Sequence, residues 1–257
     1  MSRFIEELKR MAGATAQPIG FRVVRLASSE PRMLFVAGVS AADTGRLADY
    51  VDGADAVLLR LTKSGPAAKA LQGVADIPWG GWLGDISDKK VETLVGAGCD
   101  FVVFPAASRV LTTPRDEKIG KILQVEPSLD DSLLRAVNDL PVDALLIAGA
   151  YEAGGSLAWH HLMLFQRLAN LLAKPWLVPA PSSVTADEVR ALWEVGVDGL
   201  VVEMGAGQPA GGLRELRRSI GKLPPRSAPK RGKTEALLPY AGGVKETESV
   251  EEEEDED

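Results

Sequence analysis

This sequence of 257 residues holds one cysteine, Cys99, and two histidines. A single thiol excludes an intramolecular disulfide and a cysteine-built metal site. Its apolar surroundings, GAGCDFVVF, mark Cys99 as a small packing residue rather than a nucleophile. No apolar run reaches the ~18 residues that a bilayer span needs. The opening MSRFIEELKRMAG mixes acids and bases at helical spacing, unlike a signal peptide. A broad basic face is also missing, which argues against a nucleic-acid partner. The net charge of −7 belongs to one end: residues 245–257, KETESVEEEEDED, carry nine acids and one lysine, or −8, leaving about +1 for the rest. These absences fit a cytoplasmic protein with neither membrane nor nucleic acid as partner.

What is present is a regular series of apolar runs of strand length. They read MLFVAGV (33–39), AVLLRL (56–61), IPWGGWL (77–83) and FVVFPA (101–106), then KILQVEP (121–127), ALLIAG (144–149), PWLVPA (175–180) and GLVVEM (199–204). They are apolar throughout rather than alternating, as expected of strands covered on both faces. Segments of helical period, such as ADEVRALWEVG and GSLAWHHLMLFQRLANLLA, stand between most of them. Eight such units predict an α/β fold, a (β/α)8 TIM barrel. The weakest is ASRVLTTPRDEKIG, between the fourth and fifth runs, where Pro114 limits any helix.

An aspartate precedes every even-numbered run: Asp55, Asp100, Asp143 and Asp198. Helix-start signals follow the odd ones: Ser40 with Asp43, Ser87, Ser128 with Asp131, and Thr185 with Glu188. A hydroxyl there accepts a free backbone N–H, and the acid three residues on completes a capping box. The halves are also alike, since residues 77–104 align with 174–202 with one insertion.

The chain divides into 1–29, an initial helix and closing segment; 30–221, the barrel; and 222–257, a basic linker with an acidic disordered tail. The initial helix is expected to close the barrel bottom, with GFRVVRL (20–26) as an extra strand. EALLPYAGG (235–243) is an apolar island in the tail that could dock on the barrel or on a partner.

Barrel sites sit at the carboxyl ends of the strands. No lysine sits within a strand as a Schiff-base nucleophile would, and no histidine stands at a strand end. His160 and His161 are neighbours on a helix, about 100° apart, and cannot converge on one metal. One is expected packed and the other solvated. Ser182 and Ser183 after the seventh strand, with Gly205 and Gly207 after the eighth, permit a phosphate or carboxylate site, and equally serve plain turn geometry. Glu126 and Glu152, just past the fifth and sixth strands, could share a divalent cation through oxygen ligands. Arg60 could pair with an anion, and Asp85 or Glu203 could move protons.

Residues 121–157, with a strand ending in Val125-Glu126 and a Val142-Asp143-led strand ending in Gly149, resemble the metal-dependent pyruvate aldolases related to the citrate lyase beta subunit. GAGCDFVVFPAAS and FIEELKR are similar to that family's fourth-strand segment and first helix. The resemblance implies an aldolase-type barrel with Glu126 as a ligand of Mg2+ or Mn2+ and Glu152 near the second ligand. The sequence departs from that family where an acid and a histidine should end the second strand, reading Arg60-Leu-Thr-Lys63. It departs again where the third should supply an arginine, reading Trp79-Gly-Gly-Trp82. The seventh and eighth units resemble the ribulose-phosphate-binding barrels, without their glycine pair.

Three functional expectations follow. The first is a small-molecule enzyme, a carbon–carbon lyase or relative acting on a keto-acid or phosphorylated substrate. The second is a barrel that has lost catalysis and serves as a ligand-binding or protein-interaction scaffold, a reading favoured by Trp82 near the mouth. The third is a flavin-binding oxidoreductase. A homo-oligomer and a tail-mediated protein partner both stay open.

Overall fold

A strand that is apolar on both sides needs neighbours along both edges and cover on both faces, and closing a parallel sheet on itself satisfies all of these. The computed structural model describes residues 2–13, 33–40, 47–61, 76–84, 88–109, 118–149, 151, 155–205 and 211–221. Within them, eight parallel strands close into a barrel in sequence order. They are β1 (Leu34–Ser40), β2 (Ala56–Arg60), β3 (Trp79–Trp82), β4 (Phe101–Pro105), β5 (Gly120–Val125), β6 (Ala144–Ile147), β7 (Trp176–Ala180) and β8 (Gly199–Met204). The ring shuts through β1 and β8, where Leu34 lies opposite Gly199 and Val39 opposite Met204.

The described helices are α1 (Arg3–Gly13), α2 (Leu47–Tyr50), α3 (Asp88–Gly96), α4 (Asp131–Ala136), α5 (Trp159–Leu171), α6 (Ala186–Glu194) and α7 (Gly212–Gly221). The expected TIM barrel with an N-terminal helix is what forms. The expected strand at 20–26, residues 110–117 in the weak fourth unit and the tail 222–257 lie outside the described residues, as do Asp85, Glu152 and Gly207.

Two apolar layers divide the strand residues by parity. Leu34, Val36, Leu58, Phe101, Val103, Ile122, Leu146, Leu177 and Val201 pack together inside the barrel. Phe35, Val57, Val102, Leu145, Trp176 and Val202 face the helices, with Phe165, Leu168, Val189 and Leu192 packed over them. Each such side chain, fully removed from water, contributes about 1.5–3 kcal/mol.

Helix α1 closes the amino end. Phe4, Ile5 and Leu8 are buried in the inner layer, and the Phe4 ring stacks on Phe101 with centroids 4.7 Å apart. Asp100 holds the start of this helix: its carboxylate accepts from Ser2 Oγ at 2.7 Å, from Arg3 N at 2.8 Å and from Phe4 N at 3.0 Å. Lys9 Nζ adds a 2.6 Å ion pair with Asp143. The fit needs glycine on β5, because a Cβ at Gly120 would stand 2.5 Å from Ile5.

The other three aspartates clasp each odd strand to the next. Phe35 N donates to Asp55 at 2.8 Å, Lys121 N to Asp143 at 3.0 Å and Trp176 N to Asp198 at 3.0 Å. In return the Asp55, Asp143 and Asp198 N–H groups donate to Phe35, Lys121 and Trp176 carbonyls. Each carboxylate thereby satisfies a backbone N–H at or next to the first residue of the odd strand.

Candidate functional site at the carboxyl end of the barrel

The inward positions follow from strand parity, and their chemistry changes along the barrel axis. The amino and middle layers hold only apolar residues and glycine, from Leu34, Ala56 and Phe101 up to Val36, Leu58, Ile122, Leu146 and Val201. The next inward residues, at the carboxyl end, are Ser40, Arg60, Trp82, Gln124 and Glu203. All the described polar side chains at inward strand positions therefore lie in one layer, above a dry floor.

Four of these five form a connected line. The Arg60 Nη2 pairs with Glu203 Oε1. Its guanidinium carbon also lies 4.4 Å from the centre of the Trp82 ring, in cation–π contact. On the other side, Trp82 Nε1 donates to Gln124 Oε1 at 2.9 Å. The line spans β8, β2, β3 and β5. Beside its first link stands Gly38 on β1, where a Cβ would press on Val201 at 3.1 Å and meet the Glu203 carboxyl carbon at an ordinary 3.6 Å. The pair is open to solvent: the Arg60 side chain is 50% and that of Glu203 31% exposed.

Arg60 and Glu203, expected in separate roles, are thus joined. Ser182 and Ser183 lie exposed in the turn after β7, which closes through Val184 N to Pro181 O at 3.1 Å. Gly205 follows β8, half-buried. The turn leads into α6, whose start matches the sequence signal. Thr185 Oγ1 accepts from Glu188 N, and Glu188 Oε2 accepts from Thr185 N at 2.8 Å. A cavity of about 300 Å3, lined by Ser182, Val184, Val202, Met204, Leu213 and Glu215, opens behind β8, outside the barrel wall.

Other expectations change. Ser128 does not cap α4: Asp130 does, accepting from Ser132 N and Leu133 N at 2.9 Å each. A carboxylate adjoining the helix displaces the hydroxyl two residues back, and Ser128 Oγ turns to Glu126 Oε2 at 3.2 Å. Glu126 is exposed. Among the described residues no group of three His, Cys, Asp or Glu could hold a metal ion. Tyr151, a polar residue near the mouth, is buried and donates to Glu188 Oε1 at 3.1 Å. His161 Nδ1 accepts from Ala158 N at 2.9 Å and its ring meets Tyr151 edge-on, while His160 is exposed.

Nothing in the local sequence singles out Gln124, and Trp82 reads there only as an apolar residue near the mouth. Counting parity outward from the inward glycines and leucines of each strand places both in the same inward layer as Arg60.

No protein-family model matches the chain, and no curated protein does. Solved structures do. The chain is similar to a 3-hexulose-6-phosphate synthase at 16% identity and a TM-score of 0.54, covering 73% of this chain and 99% of that one. It is similar to the orotidine 5'-phosphate decarboxylase of Pyrococcus horikoshii OT3 at 14% identity and a TM-score of 0.54, over 72% and 100% of the two chains. The thiamine phosphate pyrophosphorylase of Pyrococcus furiosus is similar at 14% identity and a TM-score of 0.54, over 73% and 96%. At such identities the likeness is one of fold, and by fold this chain is a TIM barrel.

Proposed function

We propose that the barrel is a small-molecule enzyme that takes an anionic compound, phosphate- or carboxylate-bearing, at its carboxyl end. The observation that carries this is the confinement of described inward polar side chains to one layer around Arg60 and Glu203. A dry floor beneath a guanidinium strengthens its hold on an anion. Arg60 receives the anionic group, oriented by Trp82. Glu203, an ion-paired carboxylate, accepts a proton from the ligand, with Asp85 as the second proton-moving group. A phosphate, where the ligand carries one, rests on the β7 and β8 loops at Ser182, Ser183, Gly205 and Gly207, near the start of α6. The similar barrels are named for phosphate-bearing compounds, which supports this choice.

The test is calorimetry of the full chain with glycerol 3-phosphate. Binding by the wild type that weakens about 10- to 100-fold in Arg60→Met, the loss of a charged hydrogen bond, supports the reading. Equal binding by wild type and variant, or no heat from the folded wild type, sinks it.

A lyase using Mg2+ or Mn2+ is a second reading, favoured by the exposed Glu126 just past the end of β5. The described residues do not by themselves make its ligand set, so it depends on Glu152 and no chemical step is drawn through a metal. Mn2+ binding that oxalate strengthens and Glu126→Ala abolishes is the result this reading requires. If neither ligand binds, the barrel is a scaffold. Its contact elements are then Trp159 and Met163, one turn apart on α5 and 82% and 72% exposed, or the tail, as tail-dependent capture would show.

A further inference from the structure

Arg60 is not a vacant anion receptor. Glu203 already holds its Nη2, and Trp82 covers the face of the guanidinium. Resting on the reading that an anionic ligand enters at Arg60, we infer that Glu203 is a resident counter-ion, so that the site selects ligands carrying a hydrogen-bond donor on the atom next to their anionic group. α-Hydroxy acids and α-amino acids have this chemistry.

The pair is neutral as a unit, so a bare anion gains Arg60 only by bringing its charge against the Glu203 carboxylate, and like charges at contact repel. A guanidinium has five N–H donors in a planar fork, of which the contact to Glu203 uses Nη2. Glu203 uses Oε1, and among the described residues no donor meets Oε2. The resting pair therefore offers donors and an acceptor side by side. A ligand with an acceptor and a neighbouring donor satisfies both without parting the pair. A ligand with acceptors alone must displace Glu203 or leave it unpaired beside the new charge.

Three acids of one size separate the alternatives. Pyruvate, lactate and alanine share a three-carbon carboxylate and differ at the second carbon, which bears no donor, a hydroxyl or an ammonium. The full chain is titrated with each, with glycerol 3-phosphate alongside, following the Trp82 indole N–H signal by NMR, assigned by its loss in Trp82→Phe. Lactate or alanine is expected to bind the wild type at least tenfold more tightly than pyruvate, and the one that does so identifies the donor. In Glu203→Gln, which keeps the shape and drops the charge, the gap should shrink to about twofold through tighter pyruvate binding. Arg60→Met, or Arg60→Gln if the former does not fold, should abolish all of it. Equal affinity for all three acids in the wild type, or weaker pyruvate binding in Glu203→Gln, overturns the resident counter-ion and leaves the anion site standing. Failure of every compound, glycerol 3-phosphate included, to bind through Arg60 overturns both.

Discussion

Glu188 gathers two residues from between β6 and α5, Tyr151 and Leu157. Besides closing the capping box of α6 with Thr185, its Oε1 accepts from Leu157 N at 2.7 Å and from the Tyr151 hydroxyl. Burial works against the ionised form, but the N–H groups of Leu157 and Thr185 outweigh it and hold the carboxyl below the ordinary value of 4.5. Burial, then the Glu188 charge, pushes the Tyr151 phenol above its ordinary 10.0. A lowered carboxyl contributes stability that is present above pH 4.5 and lost as pH falls through the lower folded value. A raised phenol contributes stability that is lost as pH rises above 10.0. Thermal midpoints of Glu188→Gln should therefore fall less than wild type below pH 4.5, and those of Tyr151→Phe less above pH 10.0. Parallel pH profiles for wild type and variants would show that the network is not stabilising. The Thr185 box was legible because both partners are three residues apart. The bonds from Leu157 and Tyr151 to the same carboxylate span 31 and 37 residues, and nothing local announces them. The same holds for Arg60, whose partner Glu203 is 143 residues away.

At the scale of elements, the strands were legible because burial on both faces leaves an apolar run that no surface segment shares. The aspartates marked the even strands, yet their roles differ. Asp198, 2% exposed, accepts the Trp176 N–H inside the core. Removing the acceptor leaves that N–H buried and unsatisfied, so Asp198→Ala should cost about 1–3 kcal/mol in urea unfolding. Asp100 instead caps α1 from outside its own strand pair, which depends on where a distant helix docks and so could not be read from position. Asp100→Ala should cost about 0.5–2 kcal/mol, and it should raise hydrogen exchange selectively in α1. Uniform exchange changes across the barrel would mean that α1 is not separately anchored. Ser128 shows the opposite limit: the capping pattern was present, but Asp130 stood closer to the helix and took its place.

The whole molecule is a ring whose amino end is plugged by α1 and whose carboxyl end alone offers described polar groups from inside. Three of its strand pairs are self-clasped over short spans of sequence, Phe35 with Asp55 across 20 residues, and Lys121 with Asp143 and Trp176 with Asp198 across 22 each. Both outer elements meet the amino end: Ser2 through Asp100, and α7 through the Arg217–Asp55 ion pair. The chain could thus be circularly permuted by joining these ends. New termini between β4 and β5, within 110–117, would keep every clasp local. Termini opened at 128–129, between β5 and β6, would turn the Lys121–Asp143 clasp into a contact between opposite ends of the chain, which slows folding. Slower refolding of the second permutant would show that the Lys121–Asp143 clasp acts as a local folding unit, and equal rates would show that it does not.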